Sequence, residues 1–204
     1  MKTMKYMGLL ALILGVAVSH NAVAADDADE GKKRAYTCEG CHAIEGYSNA
    51  FPAYQVPRIG GQHAEYIVSA LKSYQQNGSR VHGSMEGNSA GLSEQDYRNI
   101  AAYVAKFRGL GLKNPVTGNP VKGKEKAGMC AGCHGEDGNT LDVHNPRLAG
   151  QHESYLVKVL KEYKSGVRKN PVMNGMAGML DDSDIIDVAA YYASQSKGLI
   201  TLPR

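Results

Sequence analysis

Large aromatic side chains are scarce in this sequence, whose 204 residues include two Phe and no Trp, although 12 Tyr partly compensate. Small domains have a high ratio of surface to volume and bury comparatively little apolar area. Side chains alone therefore supply a thin hydrophobic core, and a large apolar cofactor would add to it.

Neither sign of charge is in clear excess, since 23 basic residues face 20 acidic ones. Two of the basic residues, Lys2 and Lys5, precede a short apolar run over residues 7–18 and a small-residue stretch at 22–24. This run falls short of the ~20 residues of a membrane-spanning helix, which leaves a membrane anchor as the weaker alternative. Residues 1–24 are therefore predicted to be a cleavable signal peptide that exports the mature chain. The balanced charge argues against nucleic acid as a partner.

Only four Cys are present, in two pairs that would suggest two disulfides in an exported protein. Each pair is instead part of a Cys-x-x-Cys-His motif, the attachment signature of c-type haem. The two thiols add to the porphyrin vinyl groups as thioethers, and the adjacent His binds iron on one haem face. Two haems c are therefore predicted, attached at Cys38 and Cys41 with the ligand His42, and at Cys130 and Cys133 with the ligand His134.

Two other sites use similar Cys spacings. Redox-active Cys pairs of the thioredoxin kind lie beside a βαβ pattern, which this sequence lacks. A zinc site would require the two pairs to share one metal ion. Both are kept as alternatives to haem attachment.

The sequence repeats itself at an offset of about 90 residues, which indicates a duplicated domain. The stretch Pro57–His63 (PRIGGQH) recurs as Pro146–His152 (PRLAGQH), and the first half has extra residues mainly between His42 and Pro57. A linker rich in Gly covers residues 109–118. Domains are therefore predicted over residues 25–113 and 114–204.

Each half is predicted to be helical, without an alternating strand pattern. Helices are expected to lead into the Cys pairs from about Asp29 and Val121, and others to begin near His63 and His152, where apolar residues recur at a 3.6-residue period. A Gly-rich loop with a Met follows in each half. The last helices are expected from the N-caps Ser93 and Asp181. The predicted fold class is all-α, with long loops that suit a domain wrapped around a prosthetic group.

The sixth iron ligand distinguishes a carrier from an enzyme, and a Met thioether fills it in many c-type cytochromes. Met85 and Met173 occupy equivalent places in the repeat and are predicted to be these ligands. Core filling is the ordinary role of Met. The rival ligands are Met176 and Met179 for the second haem and His82 for the first; His63 and His152 are in register but are expected to have a surface or capping role.

The stretch after each Cys pair also offers groups that would support a haem. A carbonyl beside Pro57 or Pro146 is expected to accept a hydrogen bond from the ligand His, which fixes the ring. Arg58 and Arg147 are candidate contacts for haem propionates, because guanidinium groups suit carboxylates. If it does not contact a propionate, each Arg is expected to be an ordinary solvent-exposed charge.

These features together resemble the cytochrome c4 family. The resemblance rests on the two Cys-x-x-Cys-His motifs, the two PR(I/L)(G/A)GQH stretches, the Tyr-rich helices, the Met in register, and an Ala-Tyr pair in each last helix. It is clearest at Cys133–Asn139, and the first half departs from it at His42–Gly46.

The resemblance implies two class I cytochrome c domains with His/Met-ligated haems whose propionates face one another. It implies a periplasmic carrier of single electrons, from the respiratory chain toward a terminal oxidase, with at most peripheral membrane association. Two alternatives stay open: the cytochrome subunit of a periplasmic dehydrogenase, and a dihaem enzyme acting on a small sulfur or nitrogen substrate. A disulfide-stabilised binding protein would require the absence of covalent haem.

Overall fold

The computed structural model describes residues 25–75, 79–110, 112 and 114–204, so the predicted signal peptide lies outside the described residues. No helix in these ranges is long and apolar enough to cross a membrane. The elements of the first half are α1 (Ala28–Arg34), α2 (Tyr36–His42), β1 (Ser48–Asn49), β2 (Tyr54–Gln55), α3 (Ala64–Gln75), α4 (Gly83–Ser89), α5 (Glu94–Ala105) and β3 (Gly109–Leu110).

The second half repeats this order without the first hairpin. Its elements are α6 (Pro120–Lys126), a 3-10 turn (Ala127–Met129), α7 (Ala131–His134), α8 (Glu153–Lys164), α9 (Pro171–Gly178), α10 (Asp182–Ala193) and β4 (Lys197–Gly198). The helical prediction is confirmed, and the four strands have two residues each. The extra residues of the first half form the antiparallel hairpin β1–β2.

The first and last helices of each half cross at a Gly. A Cβ added at Gly31 would lie 1.9 Å from the carbonyl oxygen of Asn99, and one at Gly123 would lie 1.9 Å from that of Asp187. Only Gly permits such a close approach of two backbones. Both crossings, α1 on α5 and α6 on α10, therefore depend on the same residue type at equivalent positions of the repeat.

The last helices begin where their sequence signals predict. The side chain of Ser93 accepts a hydrogen bond from the Asp96 backbone N–H, and the Asp96 carboxylate accepts one from the Ser93 backbone N–H, which completes a capping box. In the second half the Asp181 side chain accepts from the Asp184 N–H. These helices contribute buried tyrosines that partly compensate for the scarcity of Phe and the absence of Trp: Tyr97, Tyr103, Tyr191 and Tyr192.

The expected Gly-rich Met loops are wrong, because Met85 and Met173 lie on the short helices α4 and α9. Asn170 caps α9 and Pro171 occupies its first turn, a strong start signal for a helix. The Gly residues of these segments lie within the helices rather than in a loop.

Each half extends its C-terminal end onto the other. Strands β3 and β4 pair antiparallel, and the Leu112 N–H donates to the Ser196 carbonyl. Beyond β4 the chain crosses to the first half, where Ile200 forms a bridge with Gly60. Leu202 then enters the first hydrophobic core, and its N–H donates to the His42 carbonyl at 2.9 Å. The core of the first half is thus completed by the end of the second.

We expect Leu202→Ala to lower the free energy of unfolding of the haem-loaded protein by roughly 2–4 kcal/mol, because it leaves a cavity in this core. Leu202 is 2% exposed, whereas Leu141 is 89% exposed, so Leu141→Ala is the matched control and should have an effect within about 0.5 kcal/mol of zero. Guanidinium unfolding curves measure both. Equal values for the two variants would contradict the proposed role of the C-terminal residues.

Candidate haem sites

The Cys pairs lie on or beside short helices at the edge of each core. The four thiols are free rather than joined as disulfides. Cys38 and Cys130 pack against the two cores, and burial raises the pKa of both thiols. Within the described residues no three His, Cys, Asp or Glu side chains come together to hold a metal ion, so the zinc alternative has no support.

The His that follows each Cys pair is buried and anchored as predicted. The Nδ1 atom of His42 lies 2.8 Å from the Pro57 carbonyl oxygen, and that of His134 lies 2.9 Å from the Pro146 carbonyl oxygen. A carbonyl only accepts, so Nδ1 must carry the proton and Nε2 keeps its lone pair. Burial lowers the pKa of both rings, which favours the neutral form that binds iron.

The candidate Met ligands occupy equivalent places on α4 and α9. Met85 packs against the first core together with Cys38. Met173 is half-buried, as is its rival Met176, whereas Met179 is 60% exposed at the end of α9. This exposure disfavours Met179, and the choice of Met173 over Met176 stays a prediction based on the repeat.

The other histidines considered as ligands are partly or fully buried. Both ring nitrogens of His82 contact protein atoms, Nδ1 the Met85 backbone N–H and Nε2 the Tyr54 hydroxyl. His63 and His152 are buried, so the expected surface role is wrong for them, and the His152 side chain makes no cap hydrogen bond. His63 contacts the Thr140 carbonyl in the other half at 2.9 Å, a burial that no local pattern reveals.

The two PR(I/L)(G/A)GQH stretches face each other and bond reciprocally. The Gln62 amide accepts from the Arg147 N–H at 2.9 Å and donates to its carbonyl at 3.0 Å. The Gln151 amide does the same for Arg58, at 2.9 and 2.8 Å. Each Gln side chain thus bonds both the N–H and the carbonyl of an Arg in the other half, as a neighbouring β-strand would. These bonds fix how the two stretches are aligned with each other.

Arg58 and Arg147 lie in this interface, where each donates from Nη1 to a glycine carbonyl of the other half at 2.8 Å. Arg58 also bonds the Glu45 carboxylate at 2.7 Å, whereas Arg147 forms no salt bridge with a described residue. In both, Nε is buried without a partner among the described residues. An unpaired buried N–H is costly, so each guanidinium retains capacity for an anionic group.

Sequence reasoning missed a second pair of arginines, Arg80 and Arg168, which are also in register. Arg80 donates to the Tyr66 hydroxyl and Arg168 to the Tyr163 hydroxyl, both at 2.9 Å. Neither forms a salt bridge with a described residue. The Lys169 N–H donates to the Ser79 carbonyl at 2.9 Å, so this cluster also joins the two halves. Their common offset of 88 was the signal that could have found them.

The Cytochrome c family model matches residues 28–107 and 121–196. Cytochrome c4 of Pseudomonas aeruginosa is 32% identical over 196 residues, covering 90% of this chain and 96% of that protein. Cytochrome c4 of Stutzerimonas stutzeri is 31% identical over 204 residues with the same coverage. The chain belongs to the cytochrome c4 family. Its fold class is confirmed as two tandem cytochrome c domains, which in this family carry electrons.

Solved structures agree with this assignment. Reduced recombinant cytochrome c4 from Pseudomonas stutzeri is 28% identical with a TM-score of 0.67, covering 84% of this chain and 100% of that chain. Thiosulfate dehydrogenase (TsdBA) from Marichromatium purpuratum is 26% identical with a TM-score of 0.66, covering 77% of this chain and 36% of that chain. The thiosulfate dehydrogenase electron acceptor of Thiomonas intermedia is 39% identical over 69 residues, 33% of this chain and 32% of that protein.

The predicted cofactors are thereby confirmed as two covalently bound haems c, one for each Cys-x-x-Cys-His motif. The residues present fit this group. The four thiols are unbonded, the buried His rings keep Nε2 available, and the interface contains buried guanidinium groups without full pairing.

Proposed function

We propose that this cytochrome carries single electrons in the periplasm, from a respiratory donor to a terminal oxidase, and is not itself an enzyme. The observation that carries the proposal is the pairing, in each half, of an anchored His with a Met in register. Two protein ligands leave an iron no open position for a substrate. The predicted signal peptide over residues 1–24 supports the compartment.

When bound, each haem supplies a one-electron couple, and the protein sets its ligands and surroundings. His42 and His134 offer a neutral Nε2, held in orientation by the carbonyls of Pro57 and Pro146. Met85 and Met173 would supply a thioether as the other ligand, which raises the reduction potential. The hydrogen bonds of the buried His rings would hold these two ligands in place during electron transfer.

The haem propionates are proposed to lie at the interface between the halves. The His42 ring is hydrogen-bonded to the carbonyl of Pro57, which directly precedes Arg58 in the contact between the two PR(I/L)(G/A)GQH stretches. Met85 lies five residues after Arg80, which belongs to the arginine cluster that also joins the two halves. Propionates that reached the interface would meet the guanidinium groups that lie there. Arg147, Arg80 and Arg168 have no acidic partner among the described residues and are the favoured contacts; Arg58 shares its charge with Glu45 and adds its free Nε.

A second candidate function is favoured by the likeness to thiosulfate dehydrogenase components. The chain would then take electrons from a dehydrogenase acting on a small sulfur compound, as its cytochrome subunit or acceptor. This changes the donor and leaves the haem sites as described.

The ferrous wild-type protein is expected not to bind carbon monoxide, and Met85→Ala and Met173→Ala to open one haem each. The measurement is the absorption spectrum of the reduced protein with and without the gas. Met179→Ala is the control and should resemble the wild type, since this side chain is exposed. Binding by the wild type would overturn the carrier proposal, and an opened haem in Met176→Ala but not in Met173→Ala would reassign the second ligand.

Arg168→Gln is expected to lower the midpoint potential of at least one haem by about 50 mV, because losing a nearby positive charge destabilises the ferrous state by roughly 1 kcal/mol. Spectroelectrochemical titration measures the potentials. Lys169→Gln removes the same charge from an exposed neighbour and should shift them far less. Equal shifts in the two variants would contradict a propionate contact at Arg168.

The electron partners are tested by stopped-flow spectroscopy of the purified protein. We expect the reduced form to be oxidised rapidly by membranes that contain a terminal oxidase. In parallel, the oxidised form is mixed with a thiosulfate dehydrogenase and thiosulfate. The second candidate function would be favoured if the dehydrogenase and thiosulfate rapidly reduce the protein while the membranes fail to oxidise it.

A further inference from the structure

The backbone of each candidate Met ligand is held by the residue three positions before it. The Nδ1 atom of His82 accepts a hydrogen bond from the Met85 N–H at 3.4 Å. In the second half the Oδ1 atom of Asn170 accepts from the Met173 N–H at 3.0 Å. Both are N-cap interactions, and both act on the third residue of a short helix, so the repeat preserves the contact although the capping residue differs.

A second hydrogen bond closes each cap. The His82 N–H donates to Oε1 of Glu86 at 3.0 Å, and the Asn170 N–H donates to Oδ1 of Asn174 at 2.9 Å. Glu86 and Asn174 are themselves in register. Each cap therefore holds the start of its helix from both sides.

The two caps are anchored to different parts of the molecule. Because Nδ1 of His82 accepts, Nε2 carries the proton and donates to the hydroxyl of buried Tyr54 at 2.8 Å. Tyr54 belongs to β2, in the hairpin that only the first half contains, and its ring lies 4.8 Å from Nζ of Lys158 on α8. The first cap thus depends on residues that have no counterpart in the repeat.

The second cap is anchored to its own half. The Nδ2 atom of Asn174 donates to the Tyr163 carbonyl at 2.6 Å and to the Arg168 carbonyl at 2.9 Å. These carbonyls lie at the end of α8 and in the turn that follows. A change to the hairpin should therefore leave the second Met undisturbed.

We infer that His82, supported by Tyr54, is a positioning residue for the Met85 ligand, and that Asn170, supported by Asn174, is the positioning residue for Met173. The inference rests on the proposed function, because ligation by Met is part of that proposal. A thioether is a neutral and weak donor, so its bond to iron depends on where the backbone holds it.

His82→Ala and Asn170→Ala test the inference in the haem-loaded protein. Each is expected to remove roughly half of the red charge-transfer absorption that marks Met on ferric haem, since one haem of two is affected. Each should also open one ferrous haem to carbon monoxide. His82→Asn, which copies the cap of the second half, should restore both signals to wild-type levels. His144→Ala, which removes an exposed His, is the control and should leave them unchanged.

The outcomes separate this inference from the proposed function. A wild-type protein without the charge-transfer band would show that Met ligation itself is wrong. A wild-type band that persists in full in His82→Ala would overturn the positioning role alone. If His82→Ala does not fold, His82→Asn decides, because loss of the band in a folded His82→Asn protein would contradict the capping role.

Discussion

The two halves of this protein meet through the same seven-residue stretch, in which each half uses a side-chain amide to complete the backbone hydrogen bonding of the other. Gln62 and Gln151 each make two hydrogen bonds that a neighbouring strand would otherwise supply. The carbonyls that anchor the ligand histidines belong to Pro57 and Pro146. These residues directly precede Arg58 and Arg147, whose backbones are bound by the two Gln side chains. Displacing this contact would therefore disturb the iron ligands of both halves together.

Around this contact the chain has the character of a duplicated protein that has become asymmetric. The Gly crossings of the first and last helices, the His anchors and the Arg pairs are preserved between the halves. The hairpin of the first half is not, and it contributes Tyr54 to the segment that carries Met85. Two haem sites with similar ligands thus have different surroundings, which is the condition for two different reduction potentials.

Much of the site could be predicted from sequence because its determinants are local. The spacing of Cys38, Cys41 and His42 is set by the haem vinyl groups and the iron, and the caps Ser93 and Asp181 act within one helical turn. The Met helices are difficult to predict because their Gly residues favour a loop, although Asn170 and Pro171 form a start signal for the second of them.

The remaining features depend on residues that are close only in the folded chain. The burial of His63 requires Thr140 from the other half, and nothing near His63 in sequence indicates it. Arg80 and Arg168 resemble surface charges until the two halves are assembled. The C-terminal residues have no periodic pattern that indicates a role in the first core. Such contacts lie beyond sequence patterns because they join elements far apart along the chain.

The placement of Leu202 affects the order in which this protein is completed. Synthesis proceeds from the N-terminus, so the first half is made well before the residue that completes its core. That half can gain secondary structure early, but its final packing must wait for the last residues of the chain. The half that is made first therefore receives the last part of its core from the half that is made second.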